Sequence, residues 1–234
     1  AITYVTNEGT INAQEGTAGH IVSYSVEEAV TLPTAVTRTG YTFAGWHAAA
    51  DLKDAVVTTI AKGITGAKTY YAAWTAIGYT LTLDGNKGSG STNVTLNPTS
   101  VAVTYDKAIG TLPTPTRAGY TFTGWKIGTD TITAATIWKY TADQTAKAQW
   151  SANTITVNFD KNISKDGYVN DEANVEFASY TDTFDTTYNT LPTASRVGYA
   201  FAGWWTESTA GTQVTTSTKL TNPATHTLYT HWTA

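Results

Sequence analysis

The stretch TRAGYTFTGW, residues 116–125, has two near-copies in the chain: TRTGYTFAGW at 37–46 and SRVGYAFAGW at 195–204. The motif tyrosines Tyr41, Tyr120 and Tyr199 lie 79 residues apart, and Trp46, Trp125 and Trp204 keep the same spacing. Upstream of each copy stands Leu-Pro-Thr, at Leu32, Leu112 and Leu191. Downstream, an alternating run closes on Trp74, Trp150 and Trp232. This period is too long for a solenoid repeat and suits a small globular domain.

Each unit opens on an alternating segment: Ile2-Thr3-Tyr4, Leu81-Thr82-Leu83, and Ile155 to Phe159. Alternation of β-branched and aromatic residues with polar ones predicts half-buried strands. Second strands are expected near Ile21–Val26, Val101–Tyr105 and Ala178–Phe184. The connections after the motif, such as KIGTDTITAATIWKYTADQ, have room for one short helix each. Three domains follow, over residues 1–75, 76–151 and 152–234, joined by linkers as short as Thr75–Gly78 and Ser151–Thr154. The expected class is mainly β or α+β, as three beads in a stiff row.

Composition agrees. Of the 234 residues only 14% are charged, and the net charge is −4. The basic side chains are scattered, so no row of phosphates could be neutralised and nucleic acid is not an expected partner. No apolar run reaches the length of a membrane span. There is no cysteine, which removes disulfides, thiolate nucleophiles and Cys-held metals together. There is no Met either, so the sequence reads as a piece of a longer protein, with flanking domains among its partners.

The pattern P-T-(x)-x-x-R-x-G-Y-x-F-x-G-W, with a strand before it and a Trp-terminated strand after it, resembles the Listeria–Bacteroides repeat, the internalin B-type B-repeat, in three tandem copies. The resemblance implies β-grasp-like, ubiquitin-type domains in a secreted or wall-attached bacterial protein, extracellular and non-enzymatic. Members often carry a second aromatic after the motif tryptophan. Here those positions are His47, Lys126 and Trp205.

Strict alternation would put the motif tryptophan on the face opposite Tyr and Phe. A glycine inside a strand often marks a bulge, which resets the face. Bulges are therefore expected at Gly45, Gly124 and Gly203, gathering Tyr, Phe and Trp into one core. Gly40, Gly119 and Gly198 should take positive φ in a turn. Arg38, Arg117 and Arg196 read better as arginines stacked on a neighbouring aromatic than as ligand anchors. Small domains need large apolar side chains, each burying about 150–250 Å². The expected core positions are Leu32, Leu112 and Leu191; Tyr41, Tyr120 and Tyr199; Phe43, Phe122 and Phe201; Trp46, Trp125 and Trp204; and Trp74, Trp150 and Trp232. The decapeptide is a folding signature.

No catalytic residues are expected, and no cofactor. The four histidines His20, His47, His226 and His231 do not recur between units. In the third unit Asp160, Asn162, Ser164 and Asp166 alternate as calcium ligands do, followed by Gly167, Asp171 and Glu172, but the glycine and glutamate miss the calcium-loop template. Trp205 and Trp138 are the candidate ligand-contact residues, for a host protein or a glycan. Three roles fit the pattern: a stalk or spacer within a surface protein or adhesin; a binding module using exposed aromatics; and self-association through edge strands.

Overall fold

The computed structural model describes residues 1–163 and 173–234. All regular structure in the described residues is β-strand. The chain forms two compact units. The first comprises Ala1–Leu83, Ser100–Leu112 and Ile132–Ala146, and the second Asp84–Thr99, Pro113–Thr131 and Lys147–Ala234. The first unit holds the whole first repeat, the second the whole third, and each takes part of the middle repeat.

In the first repeat the closing strand Lys68–Ala76 lies between two partners. It runs parallel to the opening strand Ile2–Val5 and antiparallel to the motif strand Tyr41–His47. The third repeat builds the same centre: Thr154–Asp160 parallel to His226–Thr233, which is antiparallel to Ala200–Trp205. There the sheet extends through Ser179–Thr183 on one side and Gln213–Val214 on the other. Of the middle repeat, Ser100–Thr104 pairs antiparallel with Gly78–Asp84. Its motif strand Tyr120–Ile127 pairs antiparallel with the Gln144–Ala152 strand from Lys147 onward.

The expected bulges are present in all three copies. The register shifts between Phe43 and Gly45, between Phe122 and Gly124, and between Phe201 and Gly203. The glycines sit at φ 125°, 141° and 126°, where a side chain would be strained. After the shift the tryptophan turns inward beside the phenylalanine, with ring centroids 5.3, 5.5 and 5.6 Å apart. Trp46, Trp125 and Trp204 are almost fully buried.

Each buried indole also needs an acceptor for its N–H. Trp46 Nε1 donates to the carbonyl of Pro33 (2.7 Å), Trp125 to Pro113 (2.9 Å) and Trp204 to Pro192 (2.9 Å). This is why Leu-Pro-Thr travels with the motif: its carbonyl caps the core tryptophan. The closing tryptophans make a second set of ties, Trp74 to Thr6, Trp150 to Gly85 and Trp232 to Lys161, at 2.8–3.0 Å.

Four sequence expectations need correction. No helix occurs in the described connections; residues 127–132 instead turn at Gly128 (φ 57°) into the short strand Asp130–Ile132. That segment is rich in Thr and Ile and poor in helix formers, so the hairpin wins. Ile21–Val26 is not a strand and is tied to the first strand through Ile2 N–H to Val22 O at 2.7 Å. Phe201 is exposed, whereas its counterparts Phe43 and Phe122 are half-buried. Tyr120 is not confined to its own repeat: it packs against the core cluster of the third.

Candidate functional site

The tyrosines are placed by the turn before them. Gly40, Gly119 and Gly198 have φ of 78°, 79° and 78°, and the preceding arginine folds back over the ring. The guanidinium carbons of Arg38, Arg117 and Arg196 stand 3.9, 3.8 and 3.8 Å from the centroids of Tyr41, Tyr120 and Tyr199. These are cation–π contacts of close geometry, and they fix the ring's attitude.

Two of these turns form a junction with the next repeat. Within the first unit, the Tyr41 hydroxyl donates to Asp106 Oδ2 at 2.7 Å, and Lys139 pairs with the other carboxylate oxygen. Tyr105 meets Tyr41 edge-on at 5.6 Å and lies flat against Gly40, where an added Cβ would stand 2.3 Å from its ring. Within the second unit the same parts recur. Tyr120 donates to Asp185 Oδ2, Lys219 Nζ lies 2.8 Å from Oδ1, and the Ser91 N–H adds a bond at 2.9 Å. Phe184 takes the place of Tyr105, edge-on to Tyr120 at 5.5 Å and 2.3 Å from a Cβ built on Gly119.

The backbone passes through each junction on one residue. Only Ile77 separates Lys68–Ala76 from Gly78–Asp84, and only Asn153 separates Gln144–Ala152 from Thr154–Asp160. Ile77 donates its N–H to Gly40 O (3.0 Å) and accepts from Tyr105 N–H (2.9 Å). Asn153 donates to Gly119 O (2.9 Å) and accepts from Phe184 N–H (2.9 Å). A connection bonded on both sides to different repeats is a splint rather than a hinge.

The electrostatics follow from the partners. At Asp106 the bonds from Lys139 and Tyr41 hold the carboxyl below the usual range. Burial alone would raise the Asp185 carboxyl, but Lys219, Tyr120 and Ser91 outweigh it and hold it far below the usual range. The phenols move the other way: the bond to Asp106 raises Tyr41, and burial with the bond to Asp185 raises Tyr120. A carboxylate depressed in the folded state adds stability that is complete above its unfolded pKa, about 3.9, and is lost as pH falls toward the folded value. The raised phenols set the other edge, losing their contribution above about pH 10. Asp185→Asn should lower the melting temperature at pH 7 and flatten the acid loss below pH 4. Superimposable acid melting curves for the variant and the parent would remove this role.

The sequence-predicted site residues fall elsewhere. Trp138 is completely buried, against Tyr79 and Tyr140, and offers no ligand surface. Trp205 is half-buried and stacked flat on His231, with centroids 4.6 Å apart. Of the calcium-loop candidates, Ser164 and Asp166 lie outside the described residues, as do Gly167, Asp171 and Glu172. Asp160 and Asn162 form a structural turn: Asp160 Oδ1 accepts the Asn162 N–H at 2.7 Å. Asn162, at φ 48°, gives its amide to Thr230 O (2.8 Å) and Ser208 O (2.6 Å). Asn7 and Asn86 do the same work at φ 48° and 50°, binding Ala72 O and Ala148 O at 2.8 Å. Asp160 and Asn162 thus belong to a turn whose asparagine recurs in all three repeats. Among the described residues no three His, Cys, Asp or Glu side chains gather in metal-binding range.

The junction residues Asp106, Asp185, Lys139 and Lys219 escape the sequence reading. A signal exists: an aromatic–Asp pair, Tyr105-Asp106 and Phe184-Asp185, stands at a fixed distance before Leu-Pro-Thr in the second and third repeats. The lysines give none, since they come from opposite sides of their local pairing partners, Trp138 and Leu220.

The geometry describes a tandem array whose parts are made to meet. The chain belongs to the Listeria–Bacteroides repeat family, whose profile matches residues 1–73, 79–150 and 156–231. It is similar to internalin H of Listeria monocytogenes serovar 1/2a, 32% identical over 141 residues, covering 60% of this chain and 23% of that protein. It is also similar to two Evansella cellulosilytica proteins. One, provisionally named a Gly-rich membrane protein, is 31% identical over 54% of this chain and 16% of its own length. The other, provisionally named a membrane protein, is 28% identical over 76% of this chain and 25% of its own length. The chain thus spans a quarter or less of the relatives it matches. No helix among the described residues is long and apolar enough to cross a membrane.

Proposed function

We propose that this chain is a non-catalytic stalk or spacer segment of a bacterial surface or secreted protein, presenting other parts of that protein, an adhesive domain among them, away from the cell. The observation that carries this reading is the single-residue splint, hydrogen-bonded on both sides and backed each time by the Tyr–Asp–Lys contact. A ligand-binding protein has no need of such junctions, whereas a spacer that must hold its direction does. The similarity to internalin H supports an extracellular setting.

Each repeat, over residues 1–75, 76–151 and 152–234, is proposed as a β-grasp-like domain lacking the helix. The parallel pairing of first and last strands inside an otherwise antiparallel sheet supports this in the first and third repeats. Small-angle scattering tests the stalk directly. A single sphere-like domain of this length has a radius of gyration of about 17–18 Å, and three linked beads give about 28–32 Å. The larger value, constant across a concentration series, is expected. A value near the smaller one would overturn the stalk, and growth with concentration would favour self-assembly.

A further inference from the structure

The third repeat carries the same arginine–glycine–tyrosine turn as the other two, but no described ring lies on its glycine. Gly198 has φ 78° and Arg196 covers Tyr199 at 3.8 Å, so the turn is already shaped. A Cβ built on Gly40 meets the ring of Tyr105, and one built on Gly119 meets the ring of Phe184. One built on Gly198 meets nothing within 4 Å among the described residues. Beside it Val197 is 84% exposed, an apolar side chain flanking the flat glycine surface.

We propose that Arg196–Tyr199 is a docking socket for a further repeat of this same kind, specifically for its aromatic–Asp turn. The incoming Tyr or Phe lies on Gly198, and the Asp after it accepts the Tyr199 hydroxyl while a lysine of the same repeat holds its other oxygen. Both internal junctions supply the template, down to the positive φ of the aspartate, 62° at Asp106 and 69° at Asp185. The glycine is what makes the socket selective: any side chain there would occupy the place of the ring.

The chain's own first repeat does not carry the plug. Counting six residues back from each Leu-Pro-Thr leucine reaches Asp106 and Asp185 in the second and third repeats but Val26 in the first, with Ser25 before it. A second copy of the chain therefore does not fill the socket with its first repeat. The occupant is a repeat with an aromatic–Asp pair, joined in line.

The inference builds on the stalk reading, and one experiment separates them. The full chain is extended after Ala234 by Asn and then a copy of residues 154–234, which reproduces the Ala152-Asn153-Thr154 connection. Amide hydrogen exchange is then read residue by residue. Docking is expected to slow the added Asn and the added copy of Phe184 by about a hundredfold or more relative to unprotected amides. Gly198→Asn should abolish that slowing, because asparagine tolerates the positive φ while its Cβ fills the ring's place. Free exchange at these two amides in a folded added copy overturns the socket. Free exchange at Ile77 and Asn153 overturns the stiff stalk instead. Should the added copy not fold, an extension by Ile and residues 78–152, which carry Tyr105, Asp106 and Lys139, is read in the same way and decides it.

Discussion

Trp46→Ala should destabilise the first repeat by about 3–5 kcal/mol, enough to unfold a domain of this size under ordinary conditions. The side chain is only 2% exposed and touches Phe43 and Tyr4, with ring centroids 5.3 and 4.9 Å away. Its removal leaves a cavity among Ile2, Leu32, Ile60 and Tyr70, and leaves the Pro33 carbonyl without its donor. Calorimetry of the full chain is the measurement. A new transition well below the others is expected, with the same loss for Trp204→Ala in the third repeat. A shift of less than about 1 kcal/mol would mean that the motif tryptophan is not what holds the repeat together.

Gly119→Val is the second large effect, and its interest lies in comparison with Gly198→Val. Both glycines have left-handed φ, 79° and 78°, so both substitutions carry the same backbone strain, about 1–2 kcal/mol. Only Gly119 has a ring against it, with Phe184 atoms 2.3 Å from the new Cβ, and that ring belongs to the core of the third repeat. The valine at 119 must push Phe184 aside, which adds about 1–3 kcal/mol of overpacking. The difference between the two variants therefore measures the junction itself, free of the strain they share. Equal melting temperatures would mean that the Phe184 contact contributes nothing.

Much of this was legible because the motif repeats. A glycine inside GYTFTGW must break alternation for the tryptophan to face inward, and that local demand is met three times. The arginine over the tyrosine follows likewise from the turn that brings them together. Which neighbour a side chain meets is another matter. Tyr120 alternates as a core residue would, yet the face it occupies looks onto the third repeat, and no periodicity within one repeat encodes that. Trp138 sits in a connection that reads as loop, but the segment folds back, with Asp106 N–H to Trp138 O at 2.9 Å and Trp138 N–H to Lys107 O at 2.8 Å, and buries the indole. Asn7 and Asn86 keep the 79-residue period, but Asn162 falls three residues short of it and is further disguised by the acidic residues around it.

The splint also limits how such an array can change over generations. One residue joins the last strand of a repeat to the first strand of the next, with its N–H bound to one repeat and its C=O to the other. Inserting or deleting one there breaks that pair of bonds and moves the aspartate off its tyrosine. Length can be gained or lost only in whole copies, from opening strand through splint, so recombination between copies preserves the register that point insertions destroy. The length of the array is thereby quantised, and its gene can alter it in steps of one repeat.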